Sequence, residues 1–325
     1  MANIKISGFY DEVSGDLKTQ LETIKAYGES YLCPRKINGK NIADYTLEEF
    51  EKDIKPMLDE YGVKFSSIGS PIGKIGLYDD KAYESQLRKL EELVKICQLT
   101  GCKYIRMFSF RGLSGKYDLD LPVVVKRIKG FLEKVKGTDV VLLHENEKRI
   151  WADTPERVLE LYKAIDDPQF QLCFDASNYV QCGVDVPTAY EMLKDVTVYY
   201  HVKDCSPEKV EVPLGLGIGD YQNIINDLVK RGYDGFMTME PHTGKYADNK
   251  KLFHRIGWLF FGIKFEHIDK WRKIFHRIDE AKGIGHTQPV SRRQMMDWQY
   301  EALKEMIANA QNASTETKKT QKKEA

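Results

Sequence analysis

Apolar positions along the chain follow two alternating rhythms. Dense runs rich in β-branched and aromatic residues, near 4–9, 30–34, 63–69, 103–109, 139–145, 171–176, 197–203 and 235–240, read as eight strands. Between them the apolar residues recur at helical spacing, which predicts helices near 14–27, 46–61, 80–100, 121–136, 154–165, 187–194 and 220–231. Each of these is long enough to carry the chain back from one parallel strand to the next. The punctuation agrees. Thr46 with Glu49 forms a capping box, Thr154-Pro155 opens a helix, and Gly28, Gly62, Gly101 and Gly232 close helices. Runs such as VVLL and GFMTM are apolar at successive positions, as in strands covered on both faces.

This order predicts an α/β protein, a (β/α)8 TIM barrel over residues 1–245. A doubly wound sheet is the competitor, but it would usually carry a glycine-rich phosphate loop after its first strand, and FYDEVSGD has no such pattern. Residues 246–308 then form a C-terminal helical extension, either packed on the barrel's outside or serving as a lid or an oligomer or partner surface. It holds the aromatic run LFHRIGWLFFGI (252–263), too short and too polar to span a bilayer, then a basic and aromatic helix, HIDKWRKIFHRIDEA, and a last helix capped by Ser291 with Gln294. Residues 309–325 have no apolar period and are expected to be a disordered tail.

Composition narrows the partners. Basic and acidic residues number 49 each, so no basic field exists to hold nucleic acid, and a small, weakly charged substrate fits better. The start, MANIKISGFYDEVSGD, lacks a secretory signal, and the six cysteines show no CxxC pair or zinc-finger spacing. Reduced thiols in the cytoplasm are the expectation, with Cys97 and Cys102 as core residues.

Four of the strand-like runs end on a residue able to bind a metal. VVLLHEN carries Glu145, QLCFDASN Asp175, TVYYHVKD His201 and GFMTMEPH Glu240. Any one of them alone is commonplace at a strand end. Four consecutive strands, each placing one at the same end, would bring them together at the mouth where such barrels do chemistry. Three carboxylates and an imidazole suit one divalent ion, Mn²⁺ first and Mg²⁺, Co²⁺ or Zn²⁺ as the others. Such an ion polarises a substrate carbonyl and its neighbouring hydroxyl, and Glu145 and Glu240 can stand on opposite faces as base and acid. Arg35 and Arg106, near the ends of strands two and four, are placed to bind substrate oxygens or to bridge loops.

HENE, FDASNY, HVKDC, VPLGLGIGD and MEPH together resemble the xylose isomerase-like TIM-barrel superfamily, the sugar phosphate isomerase/epimerase group, over roughly residues 4–243. The resemblance implies that Glu145, Asp175, His201 and Glu240 are metal ligands and that Glu145 and Glu240 are also the acid/base pair. It places Lys203, Asp204 and His242 at positions that line the site, with Asn146 and Asn178 beside the substrate. Many relatives have a histidine where Asn178 stands, and often an acidic residue where Cys33-Pro34 stands. The further histidines of the endonuclease IV branch are missing from SSIGSP and IRMFSF, which argues against DNA as substrate.

The leading expectation is a metal-dependent sugar isomerase or epimerase working through a metal-bound enediolate. Its alternative is a lyase on 3-oxo-glycosides, resembling C-glycoside deglycosidase catalytic subunits, which eliminates an aglycone. The third reading is a non-catalytic sugar-binding barrel. The expected partners are a small sugar or glycoside, a second copy of the chain or a small partner subunit, and neither nucleic acid nor membrane. His144 alternates away from Glu145 and is expected to be structural.

Overall fold

The structure, a computed structural model, describes the backbone of residues 2–256 and 266–324 and the side chains of residues 2–250 and 271–316. The strands are β1 (Asn3–Gly8), β2 (Tyr31–Leu32), β3 (Ile68–Ile72), β4 (Tyr104–Met107), β5 (Val141–Glu145), β6 (Phe170–Asp175), β7 (Thr197–Val202) and β8 (Asp234–Met239). Seven of them form one parallel sheet in the order β1-β8-β7-β6-β5-β4-β3. The short β2 bridges the remaining gap. Its neighbour Cys33 donates its N–H to Gly8 O at 3.0 Å, Ser66 N–H reaches Leu32 O at 3.0 Å, and Gly69 N–H reaches Pro34 O at 2.9 Å. The eight expected strands are therefore all present, in a parallel barrel ringed by helices.

The helices are α1 (Leu17–Ala26), α2 (Leu47–Asp53), α3 (Lys55–Tyr61), α4 (Asp80–Thr100), α5 (Tyr117–Val135), α6 (Pro155–Ile165), α7 (Ala176–Cys182), α8 (Val186–Leu193), α9 (Tyr221–Lys230), α10 (Gly244–Ile256), α11 (Glu266–Lys282) and α12 (Arg292–Glu324). The Thr46–Glu49 capping box and the Thr154 cap are formed as expected. The helix expected at 46–61 is instead two, because Ile54 ends one and opens the next with Pro56 in its first turn. The short α7 has no counterpart in the periodicity. It follows Asp175 directly, too brief to show a repeat.

Side chains alternate between the barrel interior and the helical layer. Val141, Leu143, Cys173 and Tyr199 pack together inside, against Tyr104 and Phe236. Above them Tyr199 OH meets Ser66 Oγ at 2.9 Å and Thr238 Oγ1 at 2.5 Å, while Ser66 Oγ meets Ser7 Oγ at 2.6 Å. This hydroxyl layer floors the mouth. The next inward positions on β5, β6 and β7 are Glu145, Asp175 and His201.

The C-terminal helices divide their contacts. Residues of α10 and α11, including Tyr246, Ile274, Phe275 and Ile278, pack with Val210 and Val212 of the loop after β7. The last helix, α12, lies along α9 and reaches α1, where Tyr300 stacks on Tyr27 with ring centroids 4.2 Å apart. It runs unbroken through Glu324, a correction to the disordered tail expected from residue 309. The segment after Asn309 contains neither glycine nor proline, and its alanine, glutamine, glutamate and lysine continue a helix whose first half is docked. The aromatic run at 252–263 lies outside the residues whose side chains are described. Among the described residues no helix is long and apolar enough to cross a membrane.

Candidate metal centre

Glu145, Asp175, His201 and Glu240 converge at the C-terminal ends of β5, β6, β7 and β8, each buried, with one candidate ligand atom apiece and all four atoms within 4.8 Å of one another. Parallel register produces this. His201 pairs with Asp175 across β7 and β6, and Glu145 pairs with Cys173 across β5 and β6. Side chains on the same face of neighbouring strands then lean toward one point.

Their electrostatics suit a cation. His201 Nδ1 lies 3.0 Å from Glu145 Oε1 and 3.7 Å from Glu240 Oε2 but has no aligned hydrogen bond. Asp175 Oδ2 is likewise buried without one, although Lys203 Nζ is 2.9 Å away. Buried polar atoms left unpartnered are costly unless a ligand satisfies them. Around the cluster, Glu145, Asp175, Glu240, Asp11 and Glu12 face Arg35, Arg106 and Lys203, so carboxylates outnumber fixed cations by two. A divalent ion closes that difference, and the donor set of three carboxylates and one imidazole fits it.

The acids differ in their settings. Burial pushes Glu145 up, but His201 and Arg106 outweigh it and hold the carboxyl well below its ordinary range. Glu240 is also raised by burial and is brought far down by Lys203 and His242. Asp175 goes the other way. Burial dominates there, only partly offset by Lys203, and pushes it up to about 6. Burial lowers Lys203, yet Asp175 and Glu240 raise it well above an ordinary lysine.

The expected neighbours take distinct places. Arg106 is buried and donates from Nη1 to Glu145 at 3.1 Å and from Nη2 to Gly69 O at 3.1 Å. Asn178 donates to Glu145 Oε1 at 3.3 Å and accepts from Lys203 Nζ at 3.0 Å. Asn146 braces two strand ends, donating to Asp175 O and accepting from Asp175 N–H, both at 2.9 Å. Arg35 donates to Glu240 Oε1 at 2.9 Å and Asp11 Oδ2 at 2.9 Å, and lies 3.2 Å from His242 Nε2. Glu12, Glu240 and His242 are a second metal-capable group, but the Arg35 guanidinium is the cation they already share. His144 faces away from the cluster, with its ring 5.8 Å from that of Phe170.

Asp204 sits in the glycine-rich loop. Its carboxylate accepts from the N–H groups of Cys205, Gly215, Gly217 and Gly219 at 2.8–3.0 Å. A Cβ on Gly217 would lie 2.2 Å from Asp204 Oδ1, and one on Gly219 2.8 Å away, so the glycines let backbone approach the carboxylate. Sequence reasoning passed over Asp11, Glu12, Phe9, Lys74, Glu147 and Gln299. The Phe9 ring stands edge-on to His201 at 5.2 Å and under both Arg35 and Arg106, at 5.0 and 4.9 Å. Lys74 pairs with Glu147 at 3.0 Å over the Phe108 ring. All of these but Gln299 follow a strand end, a signal already present in the chain. Gln299, from α12, donates to Val202 O at 2.8 Å and accepts from Leu214 N–H at 3.2 Å, and no local pattern announces it.

A parallel eight-stranded barrel with an acidic and imidazole cluster at the strand ends defines a class of metal-type TIM barrels. The xylose isomerase-like TIM barrel family model matches residues 27–260, and the chain belongs to that family. No functionally curated protein matches the sequence. Among solved structures, an L-ribulose 3-epimerase is similar at 15% identity with a TM-score of 0.63, covering 98% of each chain. The IOLI protein with a bound zinc atom is similar at 13% identity and TM-score 0.65, covering 94% of this chain and 99% of its own. The 3-keto-D-glucoside 4-epimerase YcjR from E. coli shares 15% identity at TM-score 0.59, covering 74% of this chain and 92% of its own. At these identities the likeness is one of fold.

Proposed function

We propose that the protein is a divalent-metal-dependent sugar epimerase or isomerase that moves a proton on the carbon beside a carbonyl. The observation that carries this is the convergence of Glu145, Asp175, His201 and Glu240 within 4.8 Å, three of them carboxylates at the ends of separate strands. The four residues would hold the ion, Mn²⁺ first. When bound, the ion supplies Lewis-acid polarisation of the carbonyl and its neighbouring hydroxyl.

The chain's own groups do the rest. One of Glu145 and Glu240 takes the proton from carbon, and the other, protonated from solvent, returns a proton to the opposite face or the adjacent carbon. Arg106 and Lys203, buried and cationic beside these acids, stabilise negative charge developing on the substrate oxygen. Arg35 and His242, at the more open side of Glu240, orient the sugar's remaining hydroxyls. The reading is supported by two of the similar structures being named as epimerases, of a 3-keto-D-glucoside at position 4 and of L-ribulose at position 3.

The test is incubation of the Mn²⁺-loaded protein in D₂O with a panel of ketoses and 3-oxo-glucosides. Deuterium is expected at the carbon beside the carbonyl, lost in Glu145→Gln and Glu240→Gln. Release of an aglycone from a 3-oxo-glycoside would move the chemistry to elimination. No exchange with any of these substrates by metal-loaded protein would overturn the reading.

A further inference from the structure

Away from the barrel mouth, the C-terminal extension contains a second constellation of titratable groups. Asp279, on α11, is buried at 3% side-chain exposure and is ion-paired at 2.7 Å with Lys250, itself only 2% exposed. The Lys250 ammonium is anchored further by the carbonyls of Gly285 and His286, at 2.8 and 3.0 Å. Tyr246 OH also donates to Asp279 Oδ1. The remaining oxygen, Asp279 Oδ2, lies 3.0 Å from His286 Nδ1. A carboxylate held this firmly fixes the tautomer of the imidazole it faces. His286 carries its proton on Nδ1, toward Asp279, and presents Nε2 as a lone pair.

That lone pair does not face open water alone. His276 Nδ1, from the preceding turn of α11, is 3.2 Å from it, with the ring centroids 3.9 Å apart. In the ion-free protein this 3.2 Å contact is a hydrogen bond, and two nitrogens bound to one zinc at about 2.0–2.1 Å stand about 3.3 Å apart, so a tilt that swings the rings apart turns the same two nitrogens onto one ion. A histidine whose second nitrogen donates to a carboxylate is the arrangement that orients and strengthens metal-bound imidazoles. The site is open to solvent on one side, since His286 is 53% exposed. Burial, then His286, holds His276 below its ordinary value, which favours the neutral, metal-binding form. Arg272 and Glu280 flank it with opposite charge.

We propose that His276 and His286 form a transition-metal site for a Zn²⁺, Ni²⁺ or Cu²⁺ ion, with Asp279 as the outer carboxylate and water completing the coordination. Before binding, His276 Nδ1–H donates to His286 Nε2; on binding, that proton passes through solvent to His276 Nε2 and both facing nitrogens turn to the ion, so no redox step is involved. The ion ties α11 to the loop that leads into α12. It therefore stabilises the extension independently of the barrel cluster.

The experiment is Zn²⁺ binding to the full chain, stripped of metal, by equilibrium dialysis and elemental analysis, beside Cu²⁺ electron paramagnetic resonance. Wild type is expected to bind two ions per chain. His276→Ala and His286→Ala, both at solvent-reachable positions, are each expected to bind one, and Asp175→Asn to keep the extension ion while losing the barrel ion. In Asp175→Asn the Cu²⁺ spectrum is expected to show nitrogen splitting that His286→Ala removes. Unchanged stoichiometry and spectrum in both histidine variants would overturn the proposal. Failure of the barrel site alone would instead appear as wild type binding one ion that His286→Ala abolishes.

Discussion

His144 is fully buried beside Glu145 in sequence but turned to the other face of β5, and neither of its ring nitrogens has a hydrogen-bond partner. Burial pushes it from 6.5 down to about 4, with Glu145 opposing weakly. Between these values the unfolded chain takes up a proton that the folded chain refuses. The resulting stability is complete above about pH 6.5 and is lost as the pH falls toward about 4. At about 1.4 kcal/mol per unit the displacement corresponds to about 3 kcal/mol. His144→Leu removes the titration and the two unpartnered nitrogens while keeping a similar volume, so it is expected to be near neutral or stabilising at pH 7.5. Urea unfolding of metal-free wild type and variant at pH 7.5 and pH 4.5 measures the effect. The variant should retain most of the 3 kcal/mol that wild type loses, and it should bind Mn²⁺ as wild type does because the ring points away from the cluster. Equal acid losses in the two proteins would refute the reasoning. A loss of Mn²⁺ binding would refute the placement of His144 outside the site.

Other expectations follow from the same geometry. Asp175, pushed up to about 6 by burial, must release its proton to bind an ion, so Mn²⁺ affinity should be flat above about pH 7 and fall about tenfold per unit below 6, measured by calorimetry across pH. Glu240→Gln should abolish deuterium exchange without lowering the melting temperature of the metal-free protein, because Arg35 keeps Asp11 and Glu12 as partners. Gln299→Leu strands Leu214 N–H and removes one of the two hydrogen bonds to Val202 O, which keeps Glu240 N–H at 3.0 Å, and should cost about 1–3 kcal/mol in denaturant unfolding, with Mn²⁺ affinity about tenfold weaker as β7 loosens beside His201. Gly217→Ala should displace the loop from Asp204 and lower the melting temperature, since its Cβ would also lie 2.5 Å from Cys205 O.

Much of the barrel was legible because strands and helices carry different periods and are closed by residues with local chemistry. Thr46, Thr154, Gly62 and Gly101 act through bonds and backbone angles within a few residues of themselves. The four cluster residues were legible for a related reason. Each is an ionisable or ligating side chain at the end of an apolar run whose direction is set by the parallel topology. Asp11, Glu12, Lys74 and Glu147 lie just beyond strand ends and were passed over because one strand-end charge carries little information without its neighbours. The continuation of α12 past residue 309 was hidden for the opposite reason. A helix without an apolar stripe looks like a tail until the docked turns ahead of it are known.

Gln299 marks the boundary between the two kinds of information. The chain by itself determined the alternating elements, their direction and the residues at the strand ends, because these depend on spacing over a few residues and on parallel connection. Only the tertiary structure decided that Arg35 lies between Glu240 and Asp11, that Asp204 gathers three glycine N–H groups, and that an amide from α12 reaches Val202 beside His201. Those contacts join residues up to 205 positions apart in the Arg35 case, and no short-range pattern encodes a partner that only packing brings into reach.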